Sequence, residues 1–269
     1  MTETSDLLLV GCGNMGGAML RGWLESGRLR RCRVVETNPV AMELPPQVEL
    51  YRDAADLPAD TAPDAVVLAV KPQAMADVLP AYRRLVRPGT VFLSIAAGKT
   101  LGFFEAGLGD GAAVVRAMPN TPAAVGRGIT VSVANRAVSA DQRALCDRLL
   151  AAIGETAWVE EEGLIDAVTG VSGSGPAYVF LMIEALAAAG AKAGLPEDLA
   201  MRLARATVAG SGELAHRSDL PAAQLRRNVT SPNGTTAAAL EVLMAEDGLE
   251  ALMTRAVAAA TRRSRELAG

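Results

Sequence analysis

Aromatic side chains make up only 3% of this 269-residue chain, and His216 is its single histidine. Proteins that hold single-stranded nucleic acid pair a basic groove with aromatics on which bases stack. Neither is present here. The formal net charge is −4, and the basic cluster Arg262-Arg263-Ser264-Arg265 falls at the end of a helical pattern, where cations complement the helix dipole. Nucleic acid is therefore not an expected partner. Cys12, Cys32 and Cys146 are widely separated, with no CxxC pair and no histidine companion, so neither a disulfide framework nor a metal site is expected. Such cysteines suit a reducing cytoplasm. Residues 1–6 form a short polar lead into a strand-like segment, which is not a signal-peptide pattern. The most apolar long run, residues 177–191, is interrupted by Glu184 and closed by Lys192, so it reads as a buried helix rather than a membrane span.

Half of the chain is hydrophobic, dominated by Ala, Leu, Val and Gly, which suits packed helices and a parallel sheet better than a β-sandwich. The first half alternates between the two. Leu7-Leu8-Leu9-Val10 is a short apolar strand, followed at once by Gly11-Cys12-Gly13-Asn14-Met15-Gly16 and a helical pattern over residues 18–26. Strand, glycine turn and helix in that order make a dinucleotide site, with glycines allowing a tight turn and close approach of a pyrophosphate to the helix start. A second strand at residues 33–35 ends in Glu36-Thr37-Asn38, and Glu36 lies 20 positions past Gly16. A carboxylate there accepts from a ribose 2′-hydroxyl and repels a 2′-phosphate, favouring NADH over NADPH. Arg31 and Arg33 pull the other way, and a solvated Glu36 is the plain alternative.

Two strands follow, the fully apolar residues 65–70 and the largely apolar residues 90–95. In a doubly wound sheet ligands bind beyond the carboxyl ends of strands, so Ala69, Val70, Lys71, Pro72 and Ala97 should border the dinucleotide. Lys71 reads either as a phosphate or ribose contact or as a surface charge. Residues 113–116 lead into the rigid turn Met118-Pro119-Asn120-Thr121-Pro122. A strand at 130–133, a helix at 141–153 and a strand at 157–159 complete this half. From Leu164 onward the pattern is helical. The expected architecture is thus α/β, a Rossmann-like doubly wound sheet over residues 1–162 followed by an all-helical unit over 163–269.

In the helical half, Gly170 to Gly175 form a Ser/Gly break before Pro176, a residue suited to a first helical turn. The helix that follows, residues 176–192, is apolar on nearly all faces. So small a helical unit cannot enclose it alone, which points to an intertwined oligomer. Helices at 199–216, with Gly210 and Gly212 marking a kink or close crossing, at 221–227 and at 249–267 complete the set. Between the last two lies Asn228-Val229-Thr230-Ser231-Pro232-Asn233-Gly234-Thr235-Thr236, a turn running into a helix start. Unpaired N–H groups at such a start, with threonine hydroxyls beside them, make a seat for a small carboxylate. The alternative is an ordinary capped turn.

Taken together, Gly11 to Gly16, Ala69-Val70-Lys71-Pro72, Arg116 to Pro122, the Asp166 to Tyr178 block and Ser231 to Thr236 resemble the pyrroline-5-carboxylate reductase family over essentially the whole chain. The resemblance implies a Rossmann domain, a helical dimerisation domain, and homodimers assembled into larger rings. It also implies that NAD(P)H meets Gly11, Gly13, Asn14, Met15 and Gly16, the Ala69 to Pro72 turn, Ala97 and Asn228. The small-molecule substrate would meet Glu162, Ser231, Gly234, Thr235 and Thr236. Two positions depart from the family pattern. Glu36 stands where a small or hydroxylic residue is usual, and Asn233 replaces a glycine, which asparagine's tolerance of the left-handed region allows.

The implied reaction is hydride transfer to the C=N bond of 1-pyrroline-5-carboxylate, giving L-proline. A cyclic imine is basic enough to carry its own proton near neutrality, so the site needs orientation and a hydrogen-bond partner for nitrogen, the role expected of Thr236. The lone histidine and the lack of an acid/base pair fit that reaction, since alcohol oxidation would require a base. A β-hydroxyacid dehydrogenase would rely on a helical-half lysine, and Lys192 is the only one after Lys99. A dinucleotide sensor would not need the Thr235-Thr236 seat.

Overall fold

A computed structural model describes residues 4–27, 29–40 and 43–268; the first residues of the polar lead, 1–3, lie outside them. Consecutive apolar residues in β1 (Ser5–Val10) are buried on both faces of a sheet, with Leu7 and Leu9 in one core layer and Leu8 and Val10 in the other. That two-sided burial is what a central parallel strand requires. The glycine turn then launches α1 (Asn14–Glu25), and the chain continues through β2 (Leu29–Val35), β3 (Val48–Tyr51), β4 (Ala65–Leu68), α2 (Met75–Val78), β5 (Val91–Ser94), α3 (Leu101–Leu108), β6 (Ala113–Met118), β7 (Gly128–Ala134), α4 (Ala140–Leu150) and β8 (Gly154–Trp158).

The sheet runs β3-β2-β1-β4-β5-β6-β7-β8, and every neighbouring pair is parallel except β6 with β7. The first six strands thus take the dinucleotide-binding order, with the switch point between β1 and β4. On one face α1 and α4 pack over Leu9, Val67 and Leu93, and the Trp23 indole N–H donates to the Leu149 carbonyl at 2.8 Å. On the other, Tyr82, Phe92 and Phe104 are fully buried.

The expected doubly wound sheet is present, with differences of detail. The strand expected over 65–70 stops at Leu68, so Ala69 and Val70 already belong to the loop. Neither β3 nor α3 stands out in the sequence. β3 is a four-residue edge strand of mixed polarity, and α3 carries Gly102 and Gly107. Gly107 is there for packing, because a Cβ would run into Leu79. Thr100 caps α3 by accepting from the Phe103 N–H at 3.2 Å.

The chain divides into two compact units, residues 1–173 with 260–269, and residues 174–259. The first includes α5 (Leu164–Val168) and a π-helical turn, Thr169–Gly173, so the expected Ser/Gly break is a widened helical turn. It also includes the end of α10 (Leu249–Ala268), where buried Ser264 donates to buried Asp166 at 2.7 Å.

The second unit holds α6 (Gly175–Lys192), α7 (Glu197–His216), α8 (Ala222–Asn228), α9 (Thr235–Leu243) and most of α10. The apolar helix α6 is not buried within one chain. Of its residues only Ala187 is buried, while Phe180 and Leu181 are 59% and 62% exposed. Apolarity on all faces reports the total cover a helix needs, and one chain supplies only the α7 side. Residues 164–192 are long and apolar enough to cross a membrane by length and composition alone, a test that the core helix of a soluble protein also passes. The kink or close crossing expected at Gly210 and Gly212 needs correction: α7 runs unbroken through both, and an added Cβ would meet nothing there, so the chain itself makes no close crossing.

Candidate active site

The glycine loop is shaped by two tight contacts and one open position. Gly11 has φ +91°, a left-handed conformation that side chains disfavour, and a Cβ on it would lie 2.9 Å from the Ala69 carbonyl carbon. A Cβ on Gly16 would meet the Gly11 carbonyl oxygen. Both glycines serve the fold. Gly13 differs, for its φ of −71° is ordinary and a Cβ there would meet no atom within 4 Å. Gly13 is also the N-cap of α1, with no side-chain cap and no acidic residue in the first turn. The helix start therefore offers N–H groups and a positive dipole end to an anion approaching over Gly13.

Beside the loop, Glu36 follows the last residue of β2 and reaches back across it. Its Oε2 accepts from the Cys12 N–H at 2.7 Å, and its Oε1 accepts from the Asn38 N–H at 2.8 Å and the Asn38 side-chain amide at 3.1 Å. Partial burial works against its charged form. The hydrogen bonds from Asn38, Cys12 and Thr37 together outweigh that burial and hold the carboxyl below its usual range. Arg52 Nη1 donates to the carbonyls of Glu36, Thr37 and Asn38, at 3.3, 3.3 and 2.8 Å, which fixes the loop from the far side.

A cleft of about 640 Å³ is lined by Gly11, Gly13, Glu36, Ala69, Val70 and Lys71, among others. A second groove, of about 590 Å³, meets it at Gly13 and is lined by Asn14, Met15 and Thr121. A diphosphate at the uncapped helix start and a ribose at Glu36 fit these residues, and the open space over Gly13 is the cradle a Cβ would fill. Cys12 lies in the same loop. Burial, then the Glu36 charge, raise its thiol pKa against Arg21's opposing pull, and burial pushes Cys32 and Cys146 to about 12, so none is an activated nucleophile.

Glu162 lines neither of these grooves. Its Oε1 accepts from buried Arg116 Nη1 at 2.8 Å and from the Leu101 N–H at 2.8 Å, and it borders a third groove beside α3 together with Glu105. Asn120, from the rigid turn after β6, donates to Ser172 Oγ at 3.1 Å and accepts from the Ile129 N–H at 3.0 Å.

In the second unit, Asn228 to Thr236 connect α8 to α9. Asn228 ends α8, its Oδ1 accepting from Gln224 at 2.8 Å. Asn233, at φ 59°, is the only left-handed residue other than glycine among the described residues. Gly234 is the N-cap of α9 and supplies no side-chain cap. Among the described residues, the hydroxyls of Ser231, Thr235 and Thr236 have no protein partner. The Ser231 hydroxyl crowds the face of Gly234 that a Cβ would occupy. This helix start differs from an ordinary capped turn in having no side-chain cap on its first N–H groups.

The chain is similar over 99% of its length to a pyrroline-5-carboxylate reductase of Pseudomonas aeruginosa, at 41% identity and with 98% of that protein covered. It belongs to the pyrroline-5-carboxylate reductase family. A Pisum sativum pyrroline-5-carboxylate reductase is 36% identical, with 99% of this chain and 97% of the relative covered. Family models described as pyrroline-5-carboxylate reductase dimerisation and as NADP oxidoreductase, coenzyme F420-dependent, match residues 162–267 and 7–98. Among solved structures, a pyrroline-5-carboxylate reductase from Coxiella burnetii superposes with TM-score 0.90 at 33% identity, covering 99% of this chain and all of that one. A Plasmodium falciparum pyrroline carboxylate reductase with NADP bound superposes at 0.80 and 29% identity, each chain fully covered.

Membership in this reductase family makes the chain an oxidoreductase. Among the residues the sequence nominates, Gly11, Gly13, Glu36, Ala69, Val70 and Lys71 share one cleft, and Asn14 and Met15 line the adjoining groove. Gly16 packs beneath the loop, and Pro72 opens the short 3-10 turn after Lys71. Ala97 is exposed in the loop after β5. Asn228, Ser231, Gly234, Thr235 and Thr236 share one connection in the second unit. Sequence reasoning missed Arg52 and the Asn120 to Ser172 link. Arg52 carries no sequence signal, whereas the prolines around Asn120 mark a turn worth inspecting.

Proposed function

We propose that this chain reduces 1-pyrroline-5-carboxylate to L-proline, with NADH favoured over NADPH, and that it works as a homodimer through its second unit, carried further into a ring of dimers. The dinucleotide supplies the hydride to C5 of the ring. The chain's residues bind, orient and partner the proton already on nitrogen. The helix start at Asn14 and Met15 receives the diphosphate, the strand-end residues Ala69 to Pro72 and Ala97 border the dinucleotide, and Asn228 contributes from the second unit. Ser231, Gly234 and Thr235 hold the substrate carboxylate, and Thr236 Oγ accepts from the ring N–H. Glu162 serves the substrate side through Oε2, since Oε1 is occupied by Arg116 and Leu101.

The observation carrying the cofactor reading is the pinned Glu36 carboxylate. A carboxylate has about four acceptor positions. Asn38 and the Thr37 hydroxyl crowd Oε1, and Cys12 takes one position on Oε2, which leaves the second position of Oε2 for a ribose hydroxyl and sets a negative charge against a 2′-phosphate. Arg52 Nη1, on the same cleft, is committed to the carbonyls of Glu36, Thr37 and Asn38.

Initial rates with 1-pyrroline-5-carboxylate, run in parallel with NADH and NADPH, test both parts. The expected result is turnover with an NADH preference that reverses in Glu36→Ser, and a fall in kcat of about a hundredfold in Thr236→Ala. Dinucleotide binding without turnover would remove the substrate assignment, and unchanged kcat in Thr236→Ala would remove that residue's role.

A further inference from the structure

Arg116 is a fully charged side chain buried inside the first unit, only 3% exposed. Burying a guanidinium is costly unless it is paired with good geometry. Here its partner is Glu162, 29% exposed at the side chain, and the pair meets at 2.8 Å on a single oxygen. The same Oε1 accepts from the Leu101 N–H, the first amide of α3. One carboxylate oxygen therefore joins the middle of β6 to the start of α3. Between β5 and α3 lies the loop that carries Ala97.

That loop is short and held at its far side as well. Ser94, the last residue of β5, is in register with Arg116, so the anchor stands level with the strand end. Gly98, at φ 70°, would place a Cβ 3.2 Å from the Leu267 carbonyl. In a doubly wound sheet such a loop, beyond a carboxyl strand end, faces the bound dinucleotide. A carboxylate at a helix start is also favoured by the helix dipole. The connection costs little to hold in place.

We propose that Arg116 is a positioning residue for the reductase. Its buried guanidinium fixes Glu162, and Glu162 in turn fixes the start of α3, which holds the β5 to α3 loop and Ala97 against the dinucleotide. This rests on the proposed cofactor role of Ala97. Arg116 acts through Glu162, so its loss reaches the dinucleotide by way of α3 and the imine by way of Glu162 Oε2, whereas loss of the Leu101 amide leaves Glu162 on Arg116 and reaches the dinucleotide alone.

Two variants cut the connection at opposite ends. Arg116→Met removes the anchor. Leu101→Pro removes the amide that Glu162 holds, and proline is well suited to a first helical position following extended Thr100. The measurement is the dissociation constant for NADH by fluorescence in the full-length protein, with KM for the imine as the second readout. Each variant should weaken NADH about tenfold; in Leu101→Pro the imine KM should move less than about twofold, whereas in Arg116→Met, which frees Glu162, it should rise as well. The double variant should be no worse than either single, because both act on one path. Arg116→Lys should recover part of the loss. NADH affinity within about twofold of the parent in folded Leu101→Pro would overturn the proposal, as would fully multiplicative losses in the double variant. Because NADH binding needs no turnover, failure of the parent protein to reduce the imine would count against the substrate assignment alone.

Discussion

Two glycines three positions apart answer to different demands. A Cβ at Gly16 would collide with the Gly11 carbonyl oxygen, whereas at Gly13 it would meet only open space over an uncapped helix start. Gly13→Ala should therefore leave thermal stability unchanged, or raise it by up to about 1 kcal/mol through loss of unfolded-state freedom, while weakening NADH binding more than about tenfold. Gly16→Ala should unfold at a clearly lower temperature, losing about 1–3 kcal/mol. Denaturation with and without dinucleotide separates the cases. Glu36 gives a pH prediction. Its carboxyl is held below the ordinary range, so the charged form proposed to receive the ribose is present above that range and is lost only as pH falls through the depressed value. Affinity for oxidised NAD should stay flat from about pH 8 to about pH 5. Weakening that sets in near pH 6 would show that another group controls the site. Glu36 was legible in sequence because its distance from the glycines is fixed by one helix and one strand. Its bonds to Cys12 and Asn38 were not, because they depend on how the β2 end curls back over the loop.

At the scale of elements, the connection from α8 to α9 shows a local rule at work. Asn233 takes φ 59°, where asparagine is tolerated and a branched side chain is not. Asn233→Gly should leave kcat/KM for the imine and stability intact. Asn233→Val should cost about 1–2 kcal/mol and lower kcat/KM by shifting the start of α9. Equal activity in the two variants, measured by initial rates, would separate this turn from the chemistry. The sequence made the turn and helix start readable, since proline, asparagine and glycine act through their own backbone preferences. It did not reveal α3 or β3. Gly107 lowers α3's intrinsic helix propensity, yet it makes room for the Leu79 side chain it faces, a tertiary contact that no window of sequence contains.

For the whole molecule, the exposed apolar surface of α6 decides behaviour in solution. Phe180, Leu181 and Met182 stand open on one chain, within the stretch matched by the dimerisation model. Obligate association couples folding to concentration, so the unfolding temperature should rise with protein concentration. A charge on that surface, Leu181→Glu, should yield monomers of lower stability by sedimentation velocity. A dimer that survives it would place the interface on another face. The need for a second copy was legible in the all-round apolarity of α6, which so small a helical unit cannot enclose. Periodicity reports that a surface must be covered without saying by which copy.

Residues 260–268 belong to the first unit although they follow the whole of the second along the chain. During synthesis, then, the dinucleotide-binding unit waits. Asp166 has no Ser264 and Gly98 no Leu267 until every helix of the second unit has left the ribosome. The part that would bind the cofactor is completed only after the part that joins the copies has been made. A stalled or truncated chain is thus left with an unfinished first unit, even though nearly all of that unit's residues are already present.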